Sequence, residues 1–353
     1  MALRYEWAKE QILKEIQLLK INQKLPSRTR LAEKLELSHA TVDKAIRELV
    51  QEGVLYTVPG GGTYVKEGAG QGKIRNWALL IPDIQKELYP QLIDGIERYA
   101  ENKEINLIVC HSNNNMHKQR QFINRMLEFG IDGCIVVPTV GGVQDFDAFK
   151  LLQDRQVPMV FVNRRIDGIS APLVLNNSFW GTYQGTKVLI ENGCRRVAFV
   201  SEKSYQTTIE RYSGYMAAFY EHGLEPASGS AVFAARESAG MKNLRDMFEE
   251  ADRPDGVFCL NDEAAQRVYD VLAEKNLIPG RDVQVVGYDD SRICQCMKPT
   301  LTSVSANAEL IGWTAAEILD QFIGGKLKEK SLIKLIRPEI VYRNSCTRKG
   351  RTK

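Results

Sequence analysis

From residue 76 onward, short runs of apolar residues alternate with longer stretches in which apolar residues recur at helical spacing. The apolar runs occupy 77–81, 107–110, 134–137, 159–162, 197–200, 256–260 and 283–287. Runs that are apolar at every position are typical of parallel strands covered by helices on both faces. The region is about 270 residues long, more than one doubly wound sheet needs. It therefore predicts an α/β body built on two such parallel sheets.

The first 66 residues carry a helical pattern instead. A first helix is predicted from the apolar stripe at Ala8, Ile12, Ile16 and Leu19. Pro26 interrupts that helix, and Ser27 and Ser38 are each placed to cap a new helix. The third helix has its own apolar face at Val42, Ala45, Ile46 and Leu49, and Gly53 closes it.

A glycine-rich hairpin follows the three helices. Two short strands, 54–57 and 63–65, flank Pro59-Gly60-Gly61-Gly62, whose bare backbone can approach a phosphate chain closely. Three helices followed by such a hairpin are the layout of a winged helix-turn-helix. The third helix fits the major groove of DNA and exposes a polar face made of His39, Ala40, Asp43, Lys44 and Arg47.

Composition supports a division at the glycine-rich stretch after Lys66, which predicts a flexible connection. We expect a head at 1–66, a linker at 67–75, a body at 76–345 and a basic tail at 346–353. The net charge of +3 hides an asymmetry, because the head holds eleven basic and eight acidic residues, and the tail four basic and none acidic. The remaining 32 basic and 36 acidic residues leave the middle negative, so a polyanion is expected to contact the basic end.

Residues 5–66 closely resemble the DNA-binding head of the GntR family, in the segment LPSRTRLAEKLELSHATV and in the wing GGGTYV. The resemblance implies binding to double-stranded operator DNA. The residues expected to take part are Ser27, Arg28, Thr29, Arg30, Ser38, His39, Ala40, Thr41, Asp43, Lys44, Gly61 and Gly62. The family usually has Arg where this chain has Thr29, and commonly where it has His39 and Asp43. We therefore do not expect the family's usual operator, since Asp43 would repel phosphate or accept from a cytosine amino group.

Residues 76–345 resemble the effector domain of the LacI/GalR family, which is similar to periplasmic sugar-binding proteins. The segments GIDGCIVVP, VPMVFVNRR, NGCRRVAFV, PDGVFCLND and VQVVGYDD follow one another in the family's order. The resemblance implies a ligand cleft between two subdomains, formed by loops after the carboxyl ends of strands. The residues expected to bind the effector are Asp83, Tyr89, Asn113, Thr139, Asn163, Arg164, Arg211, Asn261 and Asp289.

That resemblance also implies individual roles. Arg211, Asn261 and Asp289 align with positions that hold sugar hydroxyls, and Tyr89 with a position that often stacks on the ligand. Asn163 stands where the family usually has Asp. The change leaves two effectors open, a neutral sugar held differently or an anionic sugar derivative bound by the nearby arginines.

The sequence of three of these loops also predicts where the helices that follow begin. Arg211 is expected to open the helix that follows 197–200. Asp262 and Asp290 are expected to cap the helices after them rather than to bind ligand.

We find no catalytic set, cofactor motif or metal-ligand spacing in the sequence. PGGGTYV lacks the Gly-Lys-Ser/Thr ending of a phosphate-binding loop, and the pair Cys294 and Cys296 has no second pair or nearby His. The charged N-terminus and the absence of long apolar runs predict neither a secretory signal nor a membrane span. Seven scattered cysteines suit a reduced cytoplasm. We therefore expect no cofactor and no metal.

Taken together, the two resemblances match the arabinose-repressor type of regulator from end to end. They predict a homodimeric, ligand-responsive transcription regulator, with repression of carbohydrate-use genes as its role and a sugar or sugar derivative as its effector. One alternative is a cytosolic sugar-binding protein without a DNA role, which the head disfavours. The other is an enzyme on an α/β scaffold, which the missing catalytic residues disfavour.

Overall fold

The computed structural model forms two compact units, 1–75 and 76–353, which are described separately below. It describes residues 2–17, 19, 22–66, 75–86, 88–101, 103–139, 145–201, 206–226, 231–233, 238–249, 253–327 and 331–347. Most of the expected linker, 67–74, and most of the expected tail, 348–353, lie outside the described residues. No helix in the described part of the chain is long and apolar enough to cross a membrane.

The head consists of three helices and a two-stranded antiparallel sheet. Its elements are α1 (Ala2–Gln17), α2 (Arg28–Leu35), α3 (His39–Gln51), β1 (Leu55–Val58) and β2 (Gly62–Val65). Helices α2 and α3 begin as predicted, because the hydroxyl of Ser27 accepts from the Arg30 N–H and that of Ser38 from the Thr41 N–H. The apolar stripes of α1 and α3 meet in one buried core. Leu19 packs against this core from just beyond the end of α1.

The body continues with alternating strands and helices. The first part contains β3 (Arg75–Ile81), α4 (Leu88–Glu101), β4 (Ile105–His111), α5 (Met116–Phe129), β5 (Gly133–Val136), α6 (Phe146–Asp154), β6 (Met159–Val162) and β7 (Leu173–Asn176). The middle contains α7 (Ser178–Glu191), β8 (Val197–Ser201), α8 (Gln206–Glu221), β9 (Ala231–Phe233), α9 (Ser238–Met247), β10 (Gly256–Cys259), α10 (Asp262–Glu274) and β11 (Gln284–Asp289). The last part contains α11 (Ile293–Cys296), β12 (Thr302–Ser305), α12 (Ala308–Ile323), β13 (Ile333–Ile336) and β14 (Glu339–Val341).

These strands form two six-stranded sheets, which confirms the predicted fold class. Lobe 1 carries the sheet with strand order β13-β7-β6-β5-β3-β4, and lobe 2 the sheet with order β14-β12-β11-β10-β8-β9. The strand pairs described in the two lobes run parallel, apart from the antiparallel pair of β12 with β14. Every predicted apolar run is a strand, while β7, β9, β12, β13 and β14 were not predicted.

The chain passes between the two lobes three times, from β7 to α7, from β12 to α12 and from β13 to β14. Hydrogen bonds tie these crossovers to one another. The Asn177 N–H donates to the Ile336 carbonyl at 2.9 Å, and the Asn307 amide donates to the Arg337 carbonyl at 2.9 Å. The three segments therefore lie side by side beneath the space between the lobes.

Helices α4 and α12 pack unusually closely in lobe 1, and two glycines make that approach possible. A Cβ at Gly95 would overlap the Glu309 carbonyl, and one at Gly312 would overlap the Leu92 carbonyl. Around this contact the Tyr99 hydroxyl donates to Asp320 at 2.8 Å, and the Tyr99 ring meets the edge of Trp313. The glycines let the backbones touch while the aromatic rings fill the flanking space.

We expect Gly95→Ala to destabilise the body by about 1–3 kcal/mol, because the added methyl meets backbone atoms that cannot rotate away. Calorimetric melting of the purified chain measures the effect. Gly324→Ala is the matched control at the end of α12, where φ is −75° and the nearest atom to a new Cβ is 3.2 Å away. Equal melting temperatures for Gly95→Ala and wild type would contradict the close packing.

Candidate functional site

The exposed face of the head is formed by the N-termini of α2 and α3. Residues 27–30 at the start of α2 and 38–40 at the start of α3 are all exposed. Thr41 is half-buried, and its hydroxyl lies 2.8 Å from that of Ser38 within the cap. Lys44 is exposed one turn further along α3. The first N–H groups of both helices point outward from this face, where they suit an anion.

Asp43 joins the two helices across this face. Its Oδ1 accepts from Nη1 of Arg28 at 2.5 Å, and its Oδ2 accepts from Nη2 of Arg47 at 3.2 Å. The expected repulsion between Asp43 and phosphate is therefore offset within the protein by two guanidinium groups.

The wing depends on glycine at its tip. Gly62 has φ +115°, a conformation that L side chains rarely adopt, and its missing Cβ leaves room for the Lys24 side chain. The Tyr64 hydroxyl donates to the Gly61 carbonyl at 3.1 Å, which closes the turn. Lys24 was not predicted to belong to the wing. The backbone of residues 22–25 pairs with β2 in the folded head, and this pairing brings the charge of Lys24 there.

In the body, a cavity opens between the lobes and brings six of the nine predicted effector residues together. The cavity has a volume of about 170 Å³. The six predicted residues that line it are Tyr89, Asn163, Arg164, Arg211, Asn261 and Asp289. The lining residues that were not predicted are Lys86, Leu88, Val137, Leu175, Asn176, Ser178, Thr207, Thr208, Glu210, Leu260, Asp262, Glu263 and Ser291.

Arg211 is held in the cavity by three contacts. Its Nη1 donates to the Leu260 carbonyl, and its Nη2 donates to Oδ1 of Asp289 at 3.3 Å. The Cζ atom of the guanidinium also lies over the Tyr288 ring, 3.5 Å from the ring centre. The guanidinium is thus oriented by three contacts, and its buried Nε donor has no partner among the described residues.

The backbone near the cavity is strained at two polar residues. Asp289 has φ +103° and Asn163 has φ +58°, both in the left-handed region that favours glycine. Burial raises the pKa of Asp289, and the neighbouring Arg211 opposes that rise. The two strained residues lie at the ends of β11 and β6, one on each lobe.

Lobe 1 supplies a phenol and a second guanidinium. Burial raises the pKa of Tyr89 to about 12, so its hydroxyl remains a neutral donor and acceptor. Nη1 of Arg164 donates to the Pro138 carbonyl at 3.3 Å. Arg165 is exposed and pairs with Asp167 outside the cavity.

Three predicted residues do not line the cavity. Asp83 accepts from the Gln85 N–H at 3.0 Å within its own turn. Asn113 is exposed in a turn with φ +54°. Thr139 is buried, and its hydroxyl lies 2.5 Å from that of Ser112. Their loops follow the expected strands, but local hydrogen bonds hold Asp83 and Thr139 elsewhere, and Asn113 faces solvent.

Three expectations about local structure were wrong. Arg211 lies in the second turn of α8, since that helix begins at Gln206. Asn261, not Asp262, caps α10, because its Oδ1 accepts from the Ala264 N–H at 2.8 Å. Asp290 caps no helix and instead pairs with Arg343 at 2.7 Å.

Asp262 anchors the loop between β11 and α11. Its Oδ2 accepts from the Ser291 N–H at 2.8 Å and from the Ser291 hydroxyl at 2.9 Å, and its Oδ1 accepts from the Ser303 hydroxyl at 2.6 Å. The carboxylate is therefore committed to structure although it borders the cavity. Among the described residues, no group of His, Cys, Asp and Glu side chains is arranged to hold a metal ion.

Two family models match separate parts of the chain. Residues 4–65 match the model of "Bacterial regulatory proteins, gntR family", and 186–346 match that of "Periplasmic binding protein-like domain". The arabinose metabolism transcriptional repressor of Geobacillus stearothermophilus is 27% identical over 336 residues, covering 93% of this chain and 92% of the relative. Its namesake in Halalkalibacterium halodurans is 25% identical and covers 98% and 97%.

Solved structures agree on the fold of the body. A LacI family transcriptional regulator from Enterococcus faecium, solved with bound ribose, superposes with a TM-score of 0.66 at 23% identity. The match covers 78% of this chain and 99% of the solved one.

Burial raises the pKa of Asp262 to about 7, and the charge of Asp289 acts in the same direction. The folded chain therefore holds this proton more tightly than the unfolded chain, in which the Asp pKa is about 3.9. Its contribution to stability is complete below about pH 4 and is lost as the pH rises to about 7. We expect Asp262→Asn, which imitates the protonated acid, to gain melting temperature relative to wild type between about pH 5 and pH 8.

Melting temperatures of both proteins across this pH range test the expectation. Asp270→Asn, an exposed substitution on the same helix, is the control and should leave the shape of the profile unchanged. Parallel profiles for Asp262→Asn and wild type would contradict it.

Proposed function

We propose that this chain, a transcription regulator with a GntR-family head and a periplasmic-binding-protein-like body, represses carbohydrate-use genes until a sugar enters its cavity. The matches to the two family models and to the two repressors confirm the predicted class of regulator. The chain is not an enzyme, since its end-to-end relatives are repressors. The carrying observation is the Arg211–Asp289 pair, held rigidly in a cavity between two lobes of a chain that also carries a DNA-binding head.

In the head, we assign DNA contact to the exposed N-termini of α2 and α3 and to the wing. We assign contact with base edges to His39 and Ala40, the N-terminal residues of α3. Arg28 and Arg30 at the start of α2 are assigned to the DNA surface, Arg30 to its phosphates. Gly61 and Gly62 let the wing backbone approach the sugar-phosphate chain.

The charges around the cavity favour a neutral sugar over an anionic derivative. Three basic side chains, Lys86, Arg164 and Arg211, face four acidic ones, Glu210, Asp262, Glu263 and Asp289. Arg211 is already paired with Asp289, and Arg165 lies outside. A sugar phosphate would therefore meet no unneutralised cluster of cations. Sugar hydroxyls suit the fixed donors and acceptors present, with the Tyr89 ring against their apolar side.

Ligand binding is coupled to DNA binding through the lobes. Arg211, Asn261 and Asp289 belong to lobe 2, whereas Tyr89, Asn163 and Arg164 belong to lobe 1. A sugar that contacts both sets stabilises a closed arrangement. In a homodimer bound to a near-palindromic operator, such closure alters how well two heads fit their half-sites. Sugar must then weaken DNA binding by the same factor as DNA weakens sugar binding. Action on DNA places the protein in the cytoplasm.

Gel-shift binding to DNA from upstream of the gene and its neighbours tests this proposal, with and without a panel that includes arabinose, ribose and sugar phosphates. We expect a shift that a neutral sugar reverses. No shift at low salt would contradict the repressor role. A shift that only sugar phosphates reverse would contradict the neutral effector, and one that no sugar changes would contradict the sensor.

We expect Arg211→Met to abolish the sugar response while leaving operator affinity within about twofold, because the change removes the fixed donors but lies in the body. Sugar binding by calorimetry and operator binding by gel shift measure the two effects. Arg165→Met is the matched control, since it removes an equal charge next to the cavity lining and should respond to sugar normally. Loss of operator binding in a folded Arg211→Met protein would contradict the division of roles.

A further inference from the structure

One acidic side chain stands in the middle of the exposed basic face of the head. Asp43 lies one turn inside the N-terminus of α3, and it bonds Arg28 of α2 on one side and Arg47 of α3 on the other. Nε of Arg47 also donates to the Asp43 carbonyl at 3.4 Å. The carboxylate thus links the two helices of the helix-turn-helix through a chain of three charges.

The exposure of the three side chains is graded. Asp43 retains 30% of its side-chain surface, Arg28 45% and Arg47 71%. Both arginine side chains are therefore more exposed than the aspartate that joins them.

In water, two exposed ion pairs stabilise the head very little. The ion pairs matter because they orient the arginines. A free arginine side chain loses rotational freedom about several bonds when it binds DNA, whereas an arginine already held by an ion pair has lost that freedom beforehand. A planar guanidinium held in one orientation can discriminate between base edges, while a mobile one is satisfied by any phosphate.

We propose that Asp43 is a positioning residue that sets operator specificity by holding Arg28 and Arg47 in fixed orientations, without contacting DNA itself. The proposal rests on the DNA-binding role of the head and is independent of the sugar. It differs from direct recognition of a cytosine, in which Asp43 would turn a carboxylate oxygen toward the base instead of toward an arginine.

The test uses the full chain and a duplex selected by the wild-type protein from a random pool, with a shuffled duplex of equal composition for comparison. The measured quantity is the ratio of the two affinities at several salt concentrations. Asp43→Asn should lower the ratio about tenfold, since two arginines lose their preset orientation. Affinity for the shuffled duplex should stay equal or rise, because a negative charge has been removed.

Glu48→Gln is the matched control. It removes the same charge from the same helix, but Glu48 faces Lys9 of α1 at 3.8 Å. We expect its affinity ratio to equal that of wild type. A tenfold loss in this variant would overturn the proposal, because charge alone would then explain the effect of Asp43→Asn.

A double-substituted background shows whether Asp43 acts through the arginines. With Arg28→Met and Arg47→Met in place, adding Asp43→Asn should not change the ratio further. A further loss in that background would overturn the proposal. A second selection, made with Asp43→Asn, gives a further test. If the selected DNA lost its base preference at a single C·G pair only, the proposal would be overturned, because a direct contact of Asp43 with that base predicts this result. Unchanged melting of each variant shows that the head remains folded.

Discussion

A guanidinium that is almost completely withdrawn from water must be compensated, and this requirement organises the part of lobe 2 that borders the cavity. Arg211 obtains its compensation from the Leu260 carbonyl, from Asp289 and from the face of Tyr288. To reach the guanidinium, Asp289 adopts a backbone conformation that costs on the order of 1–3 kcal/mol. The strain is tolerated because an uncompensated buried charge would cost more. The result is a donor array that exists before any ligand arrives.

The alternation of apolar runs was enough to predict both sheets, because a parallel strand covered on both faces has few polar positions. The missed strands break that rule for physical reasons. β12 is Thr302–Ser305, whose buried hydroxyls are satisfied by neighbours such as Asp262. β13 lies at the edge of its sheet, and three of its four residues are exposed. Because an exposed position tolerates a charged residue, a lysine interrupts its apolar run. Neither strand reads as a continuous apolar run.

The same reasoning explains which candidate site residues came together. Loops that follow strands were expected to converge on one site. Asn113 follows β4, which is an edge strand of the lobe 1 sheet, whereas Asn163 follows β6 in its interior. β6 lies beside β7, the strand that leads into a crossover. The order of the strands along the chain does not show which of them lies at the edge of the sheet. On the head, Asp43 seemed to oppose a polyanion because its partners are four and 15 residues away and only folding brings Arg28 to it. Adding the charges of each segment cannot show which charged side chains are paired in the folded head.

The three crossovers that join the lobes are tied to one another by hydrogen bonds, and this has a mechanical consequence. Segments that lie side by side and are cross-linked resist shear, so bending about one axis is the soft motion left to the lobes. Whatever molecule fills the cavity must then drive the same movement. Substitutions among the lining residues can therefore change which ligand the cavity accepts without changing the axis about which the lobes move.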